Sequence, residues 1–467
     1  MQSDSAISSS ILLVCACRRK QRGTGTEVRA FYLMRTVEDA CDTVKIVEPL
    51  AVDCVAEKCG SEPSSPISDA PHASRPLWFA RLLGWYNVLL RLALPASNDW
   101  QSYLQLCMHF CGNSQHRGRR RLFGWMLLAH QWLLSLFVDV PPQSLCWVFS
   151  RFQGAATDAI RSALSEPGKF DLIWCETTPA FAIIRKYIRA SSAPRPRIVL
   201  SAHNVEWLIP HRLAAGTVDL LVRWNLKLQS RLMRRLERDA HAQCDVVIHC
   251  SDDDVRLARD LHGRARLACV GNGVDIQYYR PIQGASAPVP TVIYTGTFGY
   301  QPNLEAADVL VRDLLPLLQR SIPGVRLVLA GRDASALLNR FPTLGANVEF
   351  VSDPSDMRPL FRQAWLTIVP LRSGGGTRLK ILEAMAMKVP VISTRIGAEG
   401  LNAVDGEVLL IRDEPAAMAA AAIDLLNDAT AREAIAERAA AWVRKHYSWN
   451  HLEQLAEQEL RKLLASR

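Results

Sequence analysis

Short apolar runs alternate with helical patterns along the whole chain, and that rhythm is the signature of parallel sheets wound with helices. In the first half the expected strands are residues 11–17, 43–47, 172–175, 198–201, 246–249 and 266–270. In the second half they are 291–295, 326–330, 348–351, 366–370, 389–393 and 408–411. Between the two sets, residues 279–290 carry Pro281, Gly284, Pro288 and Pro290 and read as a linker. At 467 residues the chain is long for a single core. The expected fold is therefore α/β: two doubly wound, Rossmann-like domains facing each other across a cleft. Ligands bind such sheets outside the carboxyl ends of the strands, where the strand order reverses.

The expected boundaries are 1–280 for the first domain and 287–447 for the second, with a helix at 448–467 packing back toward the first. A helical insertion is expected at about 77–143, after a Pro/Ser-rich loop at 63–76. Its tryptophans and the Arg117-Gly-Arg-Arg-Arg121 run fit interfacial helices or an ordinary helical subdomain equally well. A helix at 218–238 has Leu220, Trp224, Leu228, Leu232 and Leu236 at four-residue steps, expected to be core. Its basic side is either a solvated face or a surface for anionic lipid.

Composition narrows the classes of function. With 49% hydrophobic and 22% charged residues, extensive disorder is excluded. The net charge of +9 suits a phosphate-bearing substrate or an anionic membrane surface and is modest for a nucleic-acid binder. The twelve cysteines are scattered through apolar runs without paired CxxC spacing, which argues against zinc and for a reducing compartment. The longest apolar stretch, 122–138, is short for a membrane span and is interrupted by His130, Gln131 and Ser135. A cytoplasmic protein is expected, peripheral on the inner face of a membrane if the basic and tryptophan-rich elements touch lipid.

The strongest local feature is Pro370-Leu-Arg-Ser-Gly-Gly-Gly-Thr-Arg-Leu-Lys-Ile-Leu-Glu-Ala-Met-Ala386. A strand ends, three glycines follow, and a helix is expected to begin near Thr377. Glycines let a backbone approach a ligand, and a helix start offers free N–H groups to an anion. Arg372, Arg378 and Lys380 add charge, so the turn suits a diphosphate. Glu383, less than two turns into the helix, can accept hydrogen bonds from ribose hydroxyls.

This stretch, with Val389-Pro-Val-Ile-Ser-Thr394 and Gly397-Ala-Glu-Gly400, resembles the donor-binding core of the group 1 (family 4) retaining glycosyltransferases of GT-B fold. Thr295-Gly-Thr297 with Pro302-Asn303, Ala330-Gly-Arg332, Asn272-Gly-Val-Asp275 and Ser201-Ala-His-Asn-Val-Glu206 match further landmarks in order. The resemblance covers about residues 198–447 and weakens before that. It implies that Glu383 binds the ribose. Gly374, Gly375, Gly376 and Thr377, with Arg372 and Lys380, would hold the donor diphosphate. His203 would lie near the anomeric carbon of the donor sugar. Thr297 and Arg332 are further donor-side residues, although Arg332 has Asp333 as an alternative partner.

The PLR-GGGTR-K-LEAMA form marks a subgroup and departs from the family in one place. Many members carry a glutamate eight positions before Glu383, where this chain has Gly375.

Gly23, Thr24 and Gly25 form a second Gly-rich turn, which borders donor phosphate and acceptor on this resemblance and otherwise simply turns the chain. Glu176 either touches the acceptor or caps the helix after it. No cofactor or metal is expected, because a nucleoside diphosphate sugar is the substrate and Asp252-Asp-Asp254 reads as a helix start. The acceptor is expected to be a saccharide or lipid-linked saccharide, and no nucleic acid is expected as a partner. Two rival readings stand beside glycosyl transfer: a nucleotide-sugar epimerase of the same architecture, and a catalytically silent nucleotide-sugar-binding scaffold.

Overall fold

The computed structural model describes residues 7–15, 25–47, 160, 162–164, 170–190 and 195–465, except 219, 262, 284–286, 344 and 375. Gly23, Thr24, Gly375, the loop at 63–76 and the insertion at 77–143 lie outside the described residues.

Two six-stranded sheets, parallel throughout, make the framework. The first contains β1 (Ile7–Cys15), β2 (Cys41–Val47), β3 (Leu172–Glu176), β4 (Arg197–Ser201), β5 (Val246–His249) and β6 (Arg266–Cys269) in the order β2-β1-β3-β4-β5-β6. The second contains β7 (Thr291–Thr295), β8 (Arg326–Gly331), β9 (Val348–Ser352), β10 (Leu366–Val369), β11 (Val391–Ser393) and β12 (Leu410–Ile411) in the order β12-β11-β10-β7-β8-β9. The strand order reverses between β1 and β3 in one sheet and between β7 and β10 in the other. This is the GT-B arrangement expected above.

Alternation along each strand splits the first domain's core into two layers. Leu12, Val14, Ile173, Cys175, Ile198 and Leu200 face one side, with Phe181, Met233 and Leu236 from helices Thr178–Ala190 and Leu220–Gln243. Ile11, Leu13, Leu172, Trp174 and Val199 face the other, with Leu33 and Val37 of helix Gly25–Ala40 and Leu452, Ala456 and Leu460 of helix Trp449–Ala465. That last helix follows the second domain in sequence and packs in the first. Trp449 stacks on Tyr32 with ring centroids 4.4 Å apart. The chain crosses between domains at two adjacent places, joined where Val274 N–H donates to Tyr447 O at 2.8 Å.

Some element boundaries differ from expectation, for physical reasons. β1 starts at Ile7 because its backbone pairs with β2 from Ile7↔Cys41 onward, and a ladder needs no apolar side chain. β11 starts at Val391, past Pro390, which has no N–H to give a ladder.

The larger correction concerns helix Leu220–Gln243. Steps of four residues advance about 40° beyond a full turn, so a stripe at that spacing winds around the helix. Leu220 and Trp224 are 73% and 62% exposed, while Leu236 is buried. The buried face instead runs Leu226, Ser230, Met233, Glu237 and Ala240.

Candidate active site

In the second domain the site forms at the reversal of strand order, outside the carboxyl ends of β7 and β10. After β10 the chain makes the glycine turn with Gly374 at φ +126° and Gly376 at φ +69°, conformations that side chains resist. The helix begins at Leu379 rather than near Thr377. Thr377 is buried, and its hydroxyl donates to Cys250 O in the first domain at 3.5 Å instead of capping the helix.

The three cations near the turn have different fates. Arg372 is exposed. Arg378 is buried and folded back on the turn, donating to Gly376 O and, at 3.4 Å, to Ile396 O. Lys380 reaches across the strand reversal. Its Nζ donates to Tyr294 Oη at 2.8 Å and Asn303 Oδ1 at 2.9 Å, and lies 4.1 Å from the Tyr294 ring centroid. Burial, then the charge of Arg378, pull Lys380 down to about 7 against the attraction of Glu383.

Tyr294 comes from the end of β7, and Asn303 from helix Gln301–Asp308. Asn303 Nδ2 donates to Thr297 O at 2.8 Å, so Thr297 contributes its carbonyl to the frame of the site. A Cβ on Gly296 would lie 3.1 Å from Lys380 Nζ, which ties that glycine to the lysine beside it.

Glu383 stands one turn beyond Lys380. Burial pushes it up to about 7, opposed by a hydrogen bond with Tyr279 and by the charge of Lys380. Arg332 is exposed, and its backbone carbonyl accepts from Phe298 N–H at 2.8 Å.

In the first domain, β3 and β4 pair in register with Glu176 opposite Ser201. The Glu176 carboxylate is fully buried and takes no part in capping the next helix. It accepts from Trp174 Nε1 at 2.7 Å, from Ser201 Oγ at 3.0 Å and from His203 Nε2. Burial alone would raise this carboxyl. The hydrogen bond and charge of His203, helped by Arg29 and Trp174, outweigh it and keep Glu176 below its ordinary value. Burial lowers His203 despite the same bond, through which its Nε2 is fixed against the carboxylate. The turn after Glu176 is strained, with Thr177 at φ +82°. Gly25 is the first residue of helix Gly25–Ala40.

Four residues of this site, Arg29, Trp174, Tyr279 and Tyr294, were not singled out from the sequence. Arg29 is fully buried and donates through Nη1 to Val270 O at 2.7 Å, Gly271 O at 2.9 Å and Asn272 Oδ1 at 3.2 Å. Its only sequence signal is a cation four residues before Leu33 on an apolar helix face. Tyr279 lies inside the presumed linker, and Trp174 looks like any core aromatic. Asp252, Asp253 and Asp254 occupy the first turn of helix Asp252–Arg259, capped by Ser251 Oγ, which accepts from Asp254 N–H at 3.1 Å. Among the described residues no group of three His, Cys, Asp or Glu side chains is placed to hold a metal ion.

Comparison with known proteins bears on both domains. The family model "Glycosyl transferases group 1" matches residues 289–428, and "Glycosyltransferase Family 4" matches residues 129–278. Each of the two domains thus matches a glycosyltransferase family model. Over 283 residues it is 28% identical to a D-inositol 3-phosphate glycosyltransferase of Corynebacterium urealyticum, covering 54% of this chain and 65% of the relative. It is 29% identical over 243 residues to the GDP-mannose:cellobiosyl-diphosphopolyprenol alpha-mannosyltransferase of Xanthomonas oryzae, covering 48% of this chain and 60% of the relative. An uncharacterized 44.6 kDa protein in the cps region of Klebsiella pneumoniae is 24% identical over 163 residues, 33% of this chain and 42% of the relative. The matches thus span less than two thirds of each relative's length.

Among solved structures, sucrose-phosphate synthase from Thermosynechococcus elongatus superposes with a TM-score of 0.61 at 15% identity, covering 98% of this chain and 100% of that one. Anabaena HepE in complex with UDP-glucose gives 0.56 at 14% identity, covering 97% and 100%. At these identities the likeness concerns the fold.

Proposed function

We propose that this protein transfers a sugar from a nucleoside diphosphate sugar to a hydroxyl of a saccharide or lipid-linked saccharide acceptor, with retention of configuration and without a metal ion. The observation that carries this reading is the placement of Lys380 and Glu383 beside the Gly374–Gly376 turn at the β7/β10 reversal. A cation, helix-start amides and a carboxylate that would reach the ribose converge there. In the reaction the acceptor oxygen bonds to the anomeric carbon and the bond from that carbon to the phosphate oxygen breaks. The nucleoside diphosphate leaves with the bonding electrons, and the acceptor proton passes to the leaving phosphate or to solvent. Lys380 and the turn amides would stabilise the charge growing on the diphosphate. His203, held by Glu176, would face the donor sugar through its remaining ring nitrogen, Nδ1.

Retention rests on the family resemblance. The lipid-linked acceptor is supported by the likeness to a mannosyltransferase named for a diphosphopolyprenol substrate. A peripheral position on a membrane's cytoplasmic face is supported by exposed Val218, Leu220 and Trp224 beside exposed Lys227, Arg231, Arg235 and Arg238. Among the described residues no helix is long and apolar enough to cross a membrane.

The test is binding and turnover of a panel of nucleoside diphosphate sugars by wild type, Glu383→Ala and Lys380→Ala. One donor is expected to bind and be slowly hydrolysed, and both substitutions are expected to abolish this. A panel with no binder would leave the silent scaffold as the better reading. Acceptor-independent conversion of one nucleotide sugar into its epimer would favour the epimerase.

A further inference from the structure

The glycine turn does not stand free in the cleft. Gly376 lies so close to the His203 loop that a Cβ there would fall on Asn204 Oδ1 and come within 3.2 Å of His203 O. Gly400, at φ +78°, lies against Ser251, with 3.1 Å from a built Cβ to Ser251 Cβ. Its N–H donates to Asp253 Oδ2 at 3.2 Å, and Asn402 Nδ2 donates to Asp252 Oδ2 at 2.8 Å. One long side chain spans this contact. Arg212, on helix Leu208–Gly216 of the first domain, donates through Nη1 to Gly374 O at 2.6 Å and to Glu399 Oε2 at 2.6 Å. Its Nη2 donates to Glu399 Oε1 at 2.5 Å.

We propose that Arg212 is a positioning residue for the donor turn, coupling closure of the cleft to the shape of the segment that receives the nucleoside diphosphate. This rests on the glycosyl-transfer reading above. The Gly374 carbonyl is a hydrogen-bond acceptor in a turn meant for an anion, and a carbonyl aimed at phosphate would repel it. Arg212 draws that oxygen toward the first domain and satisfies it there. A guanidinium fork suits the task, because it can hold a carboxylate with two parallel bonds while one N–H also serves the carbonyl. Arg212 and Glu399 each keep 25% of their side-chain surface in solvent. The pair can therefore part and re-form in each cycle without stranding a buried charge, whose cost would lock the domains together.

The experiment uses the full chain, with UDP, GDP, UDP-glucose and GDP-mannose as probes. Wild type, Arg212→Ala, Arg212→Lys, Glu399→Ala and the Arg212→Ala/Glu399→Ala double variant are compared by calorimetry and by small-angle scattering for domain separation. Arg212→Ala is expected to weaken the bound nucleotide about tenfold or more, raising donor KM more than it lowers kcat. Glu399→Ala should do the same from the other domain, and the double variant should be little worse than either single one. Lysine should restore part of the loss. Nucleotide should compact wild type but not Arg212→Ala, while Tm stays near wild type.

Wild-type affinity in both single variants, or losses that add in full, would overturn the proposal. If no probe binds wild type, the glycosyl-transfer reading falls. Scattering without nucleotide then decides the latch alone, and a domain separation unchanged by Arg212→Ala overturns it.

Discussion

His203 and Glu176 meet through Nε2 and Oε1 at the carboxyl ends of adjacent strands, both almost wholly removed from solvent. Three donors converge on that one carboxylate. Replacing Glu176 with alanine leaves the Trp174 and Ser201 donors buried and unpaired, so a loss of about 3 kcal/mol in a denaturant titration is expected. Glu176→Gln keeps an acceptor and most of the stability. It should nonetheless lower turnover by roughly 10–100-fold, because the amide holds the imidazole less firmly. Full activity in a stable Glu176→Gln protein would remove His203's orientation from the mechanism.

Lys380 stands at about 7 because it is buried beside Arg378. On the alkaline side of neutrality it has given up its proton, and a diphosphate must restore it. Nucleotide affinity is therefore expected to fall as pH rises from 7 toward 9, approaching about tenfold per unit for one proton taken up. Calorimetry in buffers of different ionisation enthalpy checks this, and a binding heat that does not change with the buffer would rule the proton uptake out.

Stability should move with pH in a different window. Burial, then the charges of Glu206 and Asp254, push Glu237 up to about 8, although it accepts from Glu206 N–H at 2.8 Å and Trp207 N–H at 3.3 Å. Glu206 at about 7 and Asp254 at about 6 are raised as well, by burial above all. Between pH 4.5 and 8 the folded chain holds protons that the unfolded chain has released, so these groups make stability fall as pH rises. Glu237→Gln should flatten that slope and resist urea better than wild type at pH 8, by ~1–2 kcal/mol.

Two glycines with similar φ separate backbone strain from interdomain contact. Gly406, at φ +80°, has nothing within 4 Å of a built Cβ, so Gly406→Ala should cost only about 1 kcal/mol and leave donor binding alone. At Gly376, with φ +69°, the added methyl collides with the first domain. Gly376→Ala should weaken donor binding and hold the domains apart in scattering. Equal behaviour of the two variants would separate the turn from closure.

The framework was legible because buried strands announce themselves: Leu172–Glu176 and Val246–His249 are runs that sheet burial on both faces requires. The glycine turn was legible as well, but the orientation of its cations was not. Arg372 and Arg378 are six residues apart, and the positive-φ glycines between them send one to solvent and fold the other inward. Tyr279 and Arg29 escaped notice because their partners, Glu383 and Asn272, are distant in sequence. The stripe on Leu220–Gln243 misled because four-residue spacing is close to the helical period without equalling it.

Helix Trp449–Ala465 supplies Leu452, Ala456, Leu460 and Leu463 to the layer that also holds Ile11 and Trp174. During synthesis, the first domain must therefore wait with an open apolar slot until the whole second domain has left the ribosome. The order of folding inverts the order of the gene: the second domain, whose core is contiguous in sequence, can be finished first. A nascent chain stalled before Trp449 is then a substrate for chaperones, with one domain complete and the other exposing the face meant for that helix.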